Sequence, residues 1–178
     1  SIPLLGWQIP IITDNNFQKA KILNIDNKRV KYFLDNFDVI VLAGFQGVND
    51  EKRLTTIGRG GSDASAIMLA KFFKAKKCVI YTDVEGVYTT DPNKLYNAKK
   101  IKVISYEEML EMASLGAKVM QPVSIQDARL NRIDIEVKSS FIKKPGTIIT
   151  KKSKITSNRI ITGITSTMND AKVTLVGV

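Results

Sequence analysis

The sequence predicts an α/β fold, and three observations predict it. Asp38-Val-Ile-Val-Leu-Ala-Gly44 and Val79 to Thr82 are short, continuous apolar runs of the kind that form buried strands. Between and after them, apolar residues recur at helical spacing. Strands and helices alternate along the chain, and the strands show little polar alternation. Helices covering both faces of a layered sheet follow from that pattern.

The elements can be justified in order. Asn27 to Phe37 reads as a helix, because Val30, Phe33, Leu34 and Phe37 form one apolar stripe. Asp38 to Gly44 is the strand after it, and Phe45 to Ile57 is a polar connection. Ala64 to Lys76 reads as a helix that is apolar over most of its surface. Val79 to Thr82 is the second buried strand. Ser105-Tyr-Glu-Glu108 is a capping box opening a helix through Met109, Leu110, Met112 and Ala113 to about Gly116. Val119 to Asn131 reads as a further helix interrupted near Pro122. Ile133 to Lys138 alternates, as a strand with one wetter face does, and Gly146 to Thr150 is a short last strand. Lys151 to Asn158 is polar and charged, and reads as a linker. Ile160 to Ile164 and Ala171 to Val176 look like two strands around a turn at Met168-Asn169-Asp170. At 178 residues the chain is one domain, or one domain and a fragment. The last twenty or so residues are too few to bury a core of their own, so the tail belongs to a second domain or pairs with the first.

Composition narrows the chemistry. The 178 residues include no His and a single cysteine, Cys78. Ser-His and Cys-His catalysis and His-ligated zinc are thereby excluded, as is an internal disulfide. One cysteine in an apolar strand fits a reduced, cytoplasmic setting. Lys, Arg, Asp, Glu and backbone N–H groups remain, a toolkit suited to phosphoryl transfer, which relies on positioning and charge stabilisation. The net charge of +10 is spread over the chain without interleaved aromatics, so a bias toward Lys, Ile and Asn accounts for it better than a nucleic-acid surface. No apolar run reaches the roughly 18 residues of a membrane helix. Ser1 to Trp7 has no basic segment of a signal peptide.

Gly58-Arg59-Gly60-Gly61-Ser62-Asp63, at the entrance to a helix, is the strongest local signal. Its glycines allow the backbone to turn N–H groups toward a ligand. Ser62 or Asp63 is expected to cap the helix, whose N-terminus attracts anions. Arg59 offers a planar fork for a carboxylate or phosphate. Taken alone, the motif is equally a tight turn with a good cap. Thr82 and Asp83 end a strand, where ligands of open α/β sheets bind, and Tyr88 can face a base. Taken alone, they also suit a plain polar loop. Lys118 follows Gly116 and can reach a phosphate, or serve as a cation favoured at a helix end.

The combination is more specific. Ala43-Gly-Phe-Gln-Gly47, Thr56-Ile-Gly-Arg-Gly-Gly-Ser-Asp63, Tyr81-Thr-Asp-Val-Glu-Gly-Val-Tyr-Thr-Thr-Asp-Pro92 and Ser105-Tyr-Glu-Glu-Met-Leu-Glu-Met-Ala-Ser-Leu-Gly-Ala-Lys118 stand in one order. That ordered set resembles the aspartokinase family from about Gly6 to the C-terminus. The resemblance implies the amino-acid kinase fold, a three-layer αβα sandwich, of which residues 1–150 would be the C-terminal portion. Residues 151–178 would be a linker and the start of an ACT-like regulatory region. It implies transfer of the ATP γ-phosphate to the β-carboxylate of L-aspartate, toward lysine, diaminopimelate, threonine and methionine. Mg²⁺ would accompany ATP as co-substrate, with no tightly bound cofactor and no metal-ligand residues. A homo-oligomeric full-length enzyme is implied, with neither nucleic acid nor membrane as partner.

Carried over residue by residue, Arg59 would bind the aspartate carboxylate, and Gly60, Gly61 and Ser62 would complete that pocket. Asp63 would organise the catalytic lysine. Thr82, Asp83, Tyr88, Thr89, Thr90, Asp91, Pro92 and Asn93 would hold ATP, and Lys118 would reach its phosphates. Two departures stand out. Asn93 occupies a position where the family usually has Arg, and the Lys-Phe-Gly-Gly-Thr-Ser motif that supplies the family's catalytic lysine is absent. The isolated chain is accordingly expected to be inactive. The alternatives are a non-catalytic ligand- or partner-binding piece, and another amino-acid kinase acting on a different substrate.

Overall fold

The computed structural model describes residues 1–9, 11–152 and 160–166. In chain order the elements are β1 (Ile2–Leu4), β2 (Ile11–Thr13), β3 (Ile22–Ile25), α1 (Asn27–Asn36), β4 (Ile40–Leu42), β5 (Gln46–Val48) and β6 (Leu54–Thr56). There follow α2 (Gly61–Phe72), β7 (Cys78–Thr82), β8 (Val103–Ser105), α3 (Tyr106–Ser114), α4 (Pro122–Asn131), β9 (Ile135–Ser139) and β10 (Thr147–Thr150). The α/β class is as expected. The strands form a parallel pair, β1-β4, and two mixed four-stranded sheets, β3-β2-β5-β6 and β7-β9-β10-β8.

Two hydrophobic cores meet on α2. Ile67 and Ala70 belong to the larger one, with Cys78, Val87, Ile104, Met109, Ile125, Ile135 and Ile149. Met68, Leu69 and Phe72 pack on the smaller one, built around Leu4, Ile9, Ile11, Ile25 and Val30. A helix facing two cores has no broad polar face to spare, which explains its nearly uniform apolar surface.

Several expectations need correction. α2 begins at Gly61 and ends at Phe72, where the sequence suggested Ala64 to Lys76. Its cap is Gly60, in the left-handed region, so neither Ser62 nor Asp63 caps the helix; both lie in its first turn. The run Asp38 to Gly44 yields only β4, which pairs with β1 alone, and Val39 and Val41 face solvent on its open side. In β7, Tyr81 is exposed. Leu34 is also exposed, so the α1 stripe is narrower than its spacing suggested. The polar stretch Phe45 to Ile57 is an antiparallel hairpin, β5-β6. Pro122 does not interrupt a helix but opens α4 at a position where its missing N–H costs nothing. β10, the short last strand the sequence predicts, lies between β9 and β8 in its sheet. Residues 160–164, expected as a strand, form none. The segment 171–176 and most of the linker lie outside the described residues.

Elsewhere the sequence reading holds. Ser105 and Glu108 form the reciprocal capping box of α3. β9 alternates buried and half-buried residues. Among the described residues no helix is long and apolar enough to cross a membrane.

Candidate active site

The glycine-rich turn is held from three sides. Gly61 N donates to Gly58 O at 2.9 Å, closing the turn, and Gly60 takes φ 76°. A Cβ at Gly60 would stand 2.9 Å from Gln121 Cβ, so glycine is required by conformation and by the approach of α4. Ser124 Oγ donates to Gly60 O at 3.3 Å. On the other flank, Ser65 Oγ donates to Gly61 O at 2.6 Å and accepts from Phe45 N at 3.1 Å. Phe45 itself has φ 68°, an uncommon conformation for a residue with a side chain. The turn after β4, the turn before α2 and the start of α4 therefore converge.

Arg59 and Ser62 are exposed at this junction. Among the described residues the Arg59 guanidinium has no ion pair, and the Ser62 and Asp63 amides have no acceptor. A cationic fork beside unpaired N–H groups at a helix N-terminus suits a carboxylate. Asp63 is half-buried, without a described ion pair, and burial pushes its carboxyl above the ordinary range.

A second group of residues follows β7. Thr82 Oγ1 donates to Asp83 Oδ1 at 3.0 Å, and Ser140 N donates to Thr82 O at 2.8 Å. The parallel β7-β9 pair thus ends with Thr82 beside Ser139. The connection onward is pinned by Thr147 on β10, whose Oγ1 accepts from Val87 N at 2.8 Å and donates to Ile101 O at 2.6 Å. Tyr88 bridges to Lys100. Burial first, then the charge of Glu85, raises the Tyr88 phenol. Thr89 N donates to Lys99 O, and Asn93 N to Asp91 Oδ1, both at 2.9 Å. Asp91, Pro92 and Asn93 are exposed, while Thr89 and Thr90 are half-buried. A cavity of about 580 Å³ opens beside the ends of β7 and β9, lined by Tyr81, Lys138, Ser139, Ser140 and Lys143 among others. None of the sequence-predicted nucleotide residues lines it.

Lys118 is exposed between α3 and α4. Its neighbours Ala117 and Val119 pack on the core that also contains Val87 and Ile80. Lys118 and the start of the Thr82–Asn93 segment are therefore anchored to one core. Among the described residues, no hydrogen bond or ion pair joins Lys118 to that segment, or either of them to the glycine-rich turn. Nor does any group of three or more His, Cys, Asp or Glu form a metal cage there.

Residues 3–139 match the amino acid kinase family. The chain belongs to the amino acid kinase family. Within it, the chain is 48% identical over 172 residues to an aspartokinase of Rickettsia felis, covering 96% of this chain and 43% of the relative. It is 43% identical over 178 residues to an aspartokinase of Geobacillus stearothermophilus, covering 100% of this chain and 44% of the relative. The chain thus spans less than half the length of these curated relatives. Escherichia coli aspartokinase III, solved with aspartate and ADP, superimposes with a TM-score of 0.76 at 33% identity, over 88% of this chain and 35% of that one.

The residues that hold the amino acid kinase turn in place, Phe45, Ser65, Gln121 and Ser124, were not singled out as site residues in the sequence reading. The signal available for Phe45 was its place in Ala43-Gly-Phe-Gln-Gly47. Gln121 and Ser124 carry no local signal, since only the packing of α4 on α2 brings them to Gly60.

Proposed function

We propose that this chain is the substrate- and nucleotide-binding portion of an aspartokinase, an enzyme that transfers the ATP γ-phosphate to the β-carboxylate of L-aspartate. The observation that carries the reading is the junction at Gly58–Asp63. There an unpaired guanidinium and unpaired amides meet at a helix N-terminus, in a chain whose relatives are named aspartokinases. Arg59, with the backbone of Gly60, Gly61 and Ser62, binds a carboxylate of aspartate. Thr82, Asp83 and the segment Tyr88 to Asn93 hold ATP at the carboxyl end of β7, as ligands bind in open α/β sheets. Lys118 addresses the phosphates, and Mg²⁺ enters with ATP as part of the co-substrate. Among the described residues Asp63 has no ion pair, and burial disfavours its ionised form; a cation beside it would offset that cost, in keeping with a role in organising a lysine.

Phosphoryl transfer needs little covalent work from the protein: the groups must hold donor and acceptor in line and offset the charge on the transferring oxygens. The domain division, residues 1–150 as kinase and 151–178 as linker and regulatory start, belongs to the same proposal, as does a homo-oligomeric whole enzyme.

Calorimetric titration tests the nucleotide half of this reading. Lys118→Ala is expected to weaken binding progressively from adenosine through ADP to ATP, because an ammonium addresses phosphates and not the base. The loss for ATP is expected at about 1.5–3 kcal/mol, the range for charged hydrogen bonds. Equal losses for adenosine and ATP would make Lys118 a helix-end cation only. Saturable binding of L-glutamate as tight as that of L-aspartate would favour another amino acid kinase.

A further inference from the structure

The segment Thr162-Gly163-Ile164 touches two things at once. Thr162 Oγ1 donates to Glu108 Oε1 at 2.6 Å. The other oxygen of Glu108 accepts from the Ser105 amide at 2.9 Å and from its hydroxyl at 2.6 Å, closing the α3 cap. Two residues on, Ile164 N donates to Thr89 O at 2.8 Å. Between them, Gly163 crosses so closely that a Cβ there would stand 3.1 Å from Thr89 O and 2.9 Å from Met112 Cε. Farther along, Lys94 Nζ donates to Ser166 Oγ at 3.1 Å.

The segment is not held by burial. Ile160 is 100% exposed, Ile161 69% and Ile164 65%. Polar contacts and the close approach of Gly163 keep it in place, so it can be released without opening the core. Its attachments on the loop side fall on Thr89 and Lys94, which bracket Thr90 to Asn93. The start of that loop is also fixed to Lys99 and Lys100, through the Thr89 amide and hydroxyl and the bridge at Tyr88. The loop is therefore clamped between the 99–100 segment and the 162–166 segment.

We propose that Thr162, Gly163 and Ile164 are positioning residues that order the loop Tyr88 to Lys94 for nucleotide, with Glu108 as their anchor on α3. Reading the loop as a nucleotide loop rests on the function proposed above. The clamping of the loop does not.

Hydrogen exchange on the chain, with Thr162→Val, tests the proposal. Loss of a hydrogen bond to a carboxylate is expected to raise exchange in residues 88–94 by about tenfold or more. Exchange in β9 should stay unchanged, and Thr162→Ser should restore protection by keeping the hydroxyl. In parallel, Thr162→Val is expected to weaken ADP binding several-fold and to leave aspartate binding untouched. Unchanged exchange in residues 88–94 overturns the proposal, as does increased exchange with unaltered ADP affinity. Failure of the unsubstituted chain to bind ADP refutes the nucleotide reading instead, and exchange alone then decides whether the segment orders the loop.

Discussion

Asp63 shows how a half-buried carboxylate is held at a cost. It lies in the first turn of α2, where a negative charge is favoured by the helix N-terminus. Burial nevertheless outweighs that benefit and raises its pKa. A carboxyl whose folded pKa is raised contributes stability below its unfolded pKa and loses that contribution as pH rises through the folded value. Asp63→Asn is therefore expected to raise the melting temperature at neutral pH, with the gain shrinking as pH falls toward the ordinary carboxylate range. Scanning calorimetry at a series of pH values measures this; a drop at neutral pH would mean that the ionised carboxylate is satisfied in the fold. The sequence suggested Asp63 as a cap because Asp is a common cap. It could not show that a left-handed Gly60 already ends the turn and moves the helix start ahead of Ser62.

At the scale of elements, the site depends on strands that touch no predicted ligand. β10 is an example: Thr147 is fully buried, and its hydroxyl serves both Val87 and Ile101. Gly86, with φ 147°, passes so near that a Cβ would stand 2.6 Å from Thr147 Oγ1. Thr147→Val keeps the shape and removes the hydroxyl, leaving a buried N–H and a buried carbonyl short of a partner. Chemical denaturation is expected to show a loss of about 1–3 kcal/mol, the desolvation cost of such groups. A change within a few tenths would mean that water replaces the hydroxyl. The elements legible in the sequence, α1, the α3 capping box and β9, are those whose own residues set their period or their cap. β1, β2, β3 and β8 were missed. Each has three or four residues, too few for a period to register, and each exists because a partner strand supplies its hydrogen bonds. β4 was overestimated for the converse reason: an apolar run promises burial, but one partner strand covers little of it.

For the whole molecule, the site is a matter of assembly. The glycine-rich turn is fixed by α4, the loop after β7 by β10 and by residues 162–166, and Lys118 by the core under α3. The motifs were legible because each has a local backbone requirement, as in the left-handed Gly60. The meeting of the turn after β4, the glycine-rich turn and the start of α4 was not, because it follows from the packing of α4 on α2. The central claim is that two ligands occupy two distinct places on this chain. Amide chemical-shift mapping of the isotopically labelled protein, titrated separately with ADP and with L-aspartate, tests it most directly. The account predicts that ADP shifts Thr82, Asp83, Thr89 to Asn93 and Lys118, while aspartate shifts Arg59 to Asp63. Shifts from ADP confined to Gly58–Asp63, or overlapping sets of residues for the two ligands, would contradict it.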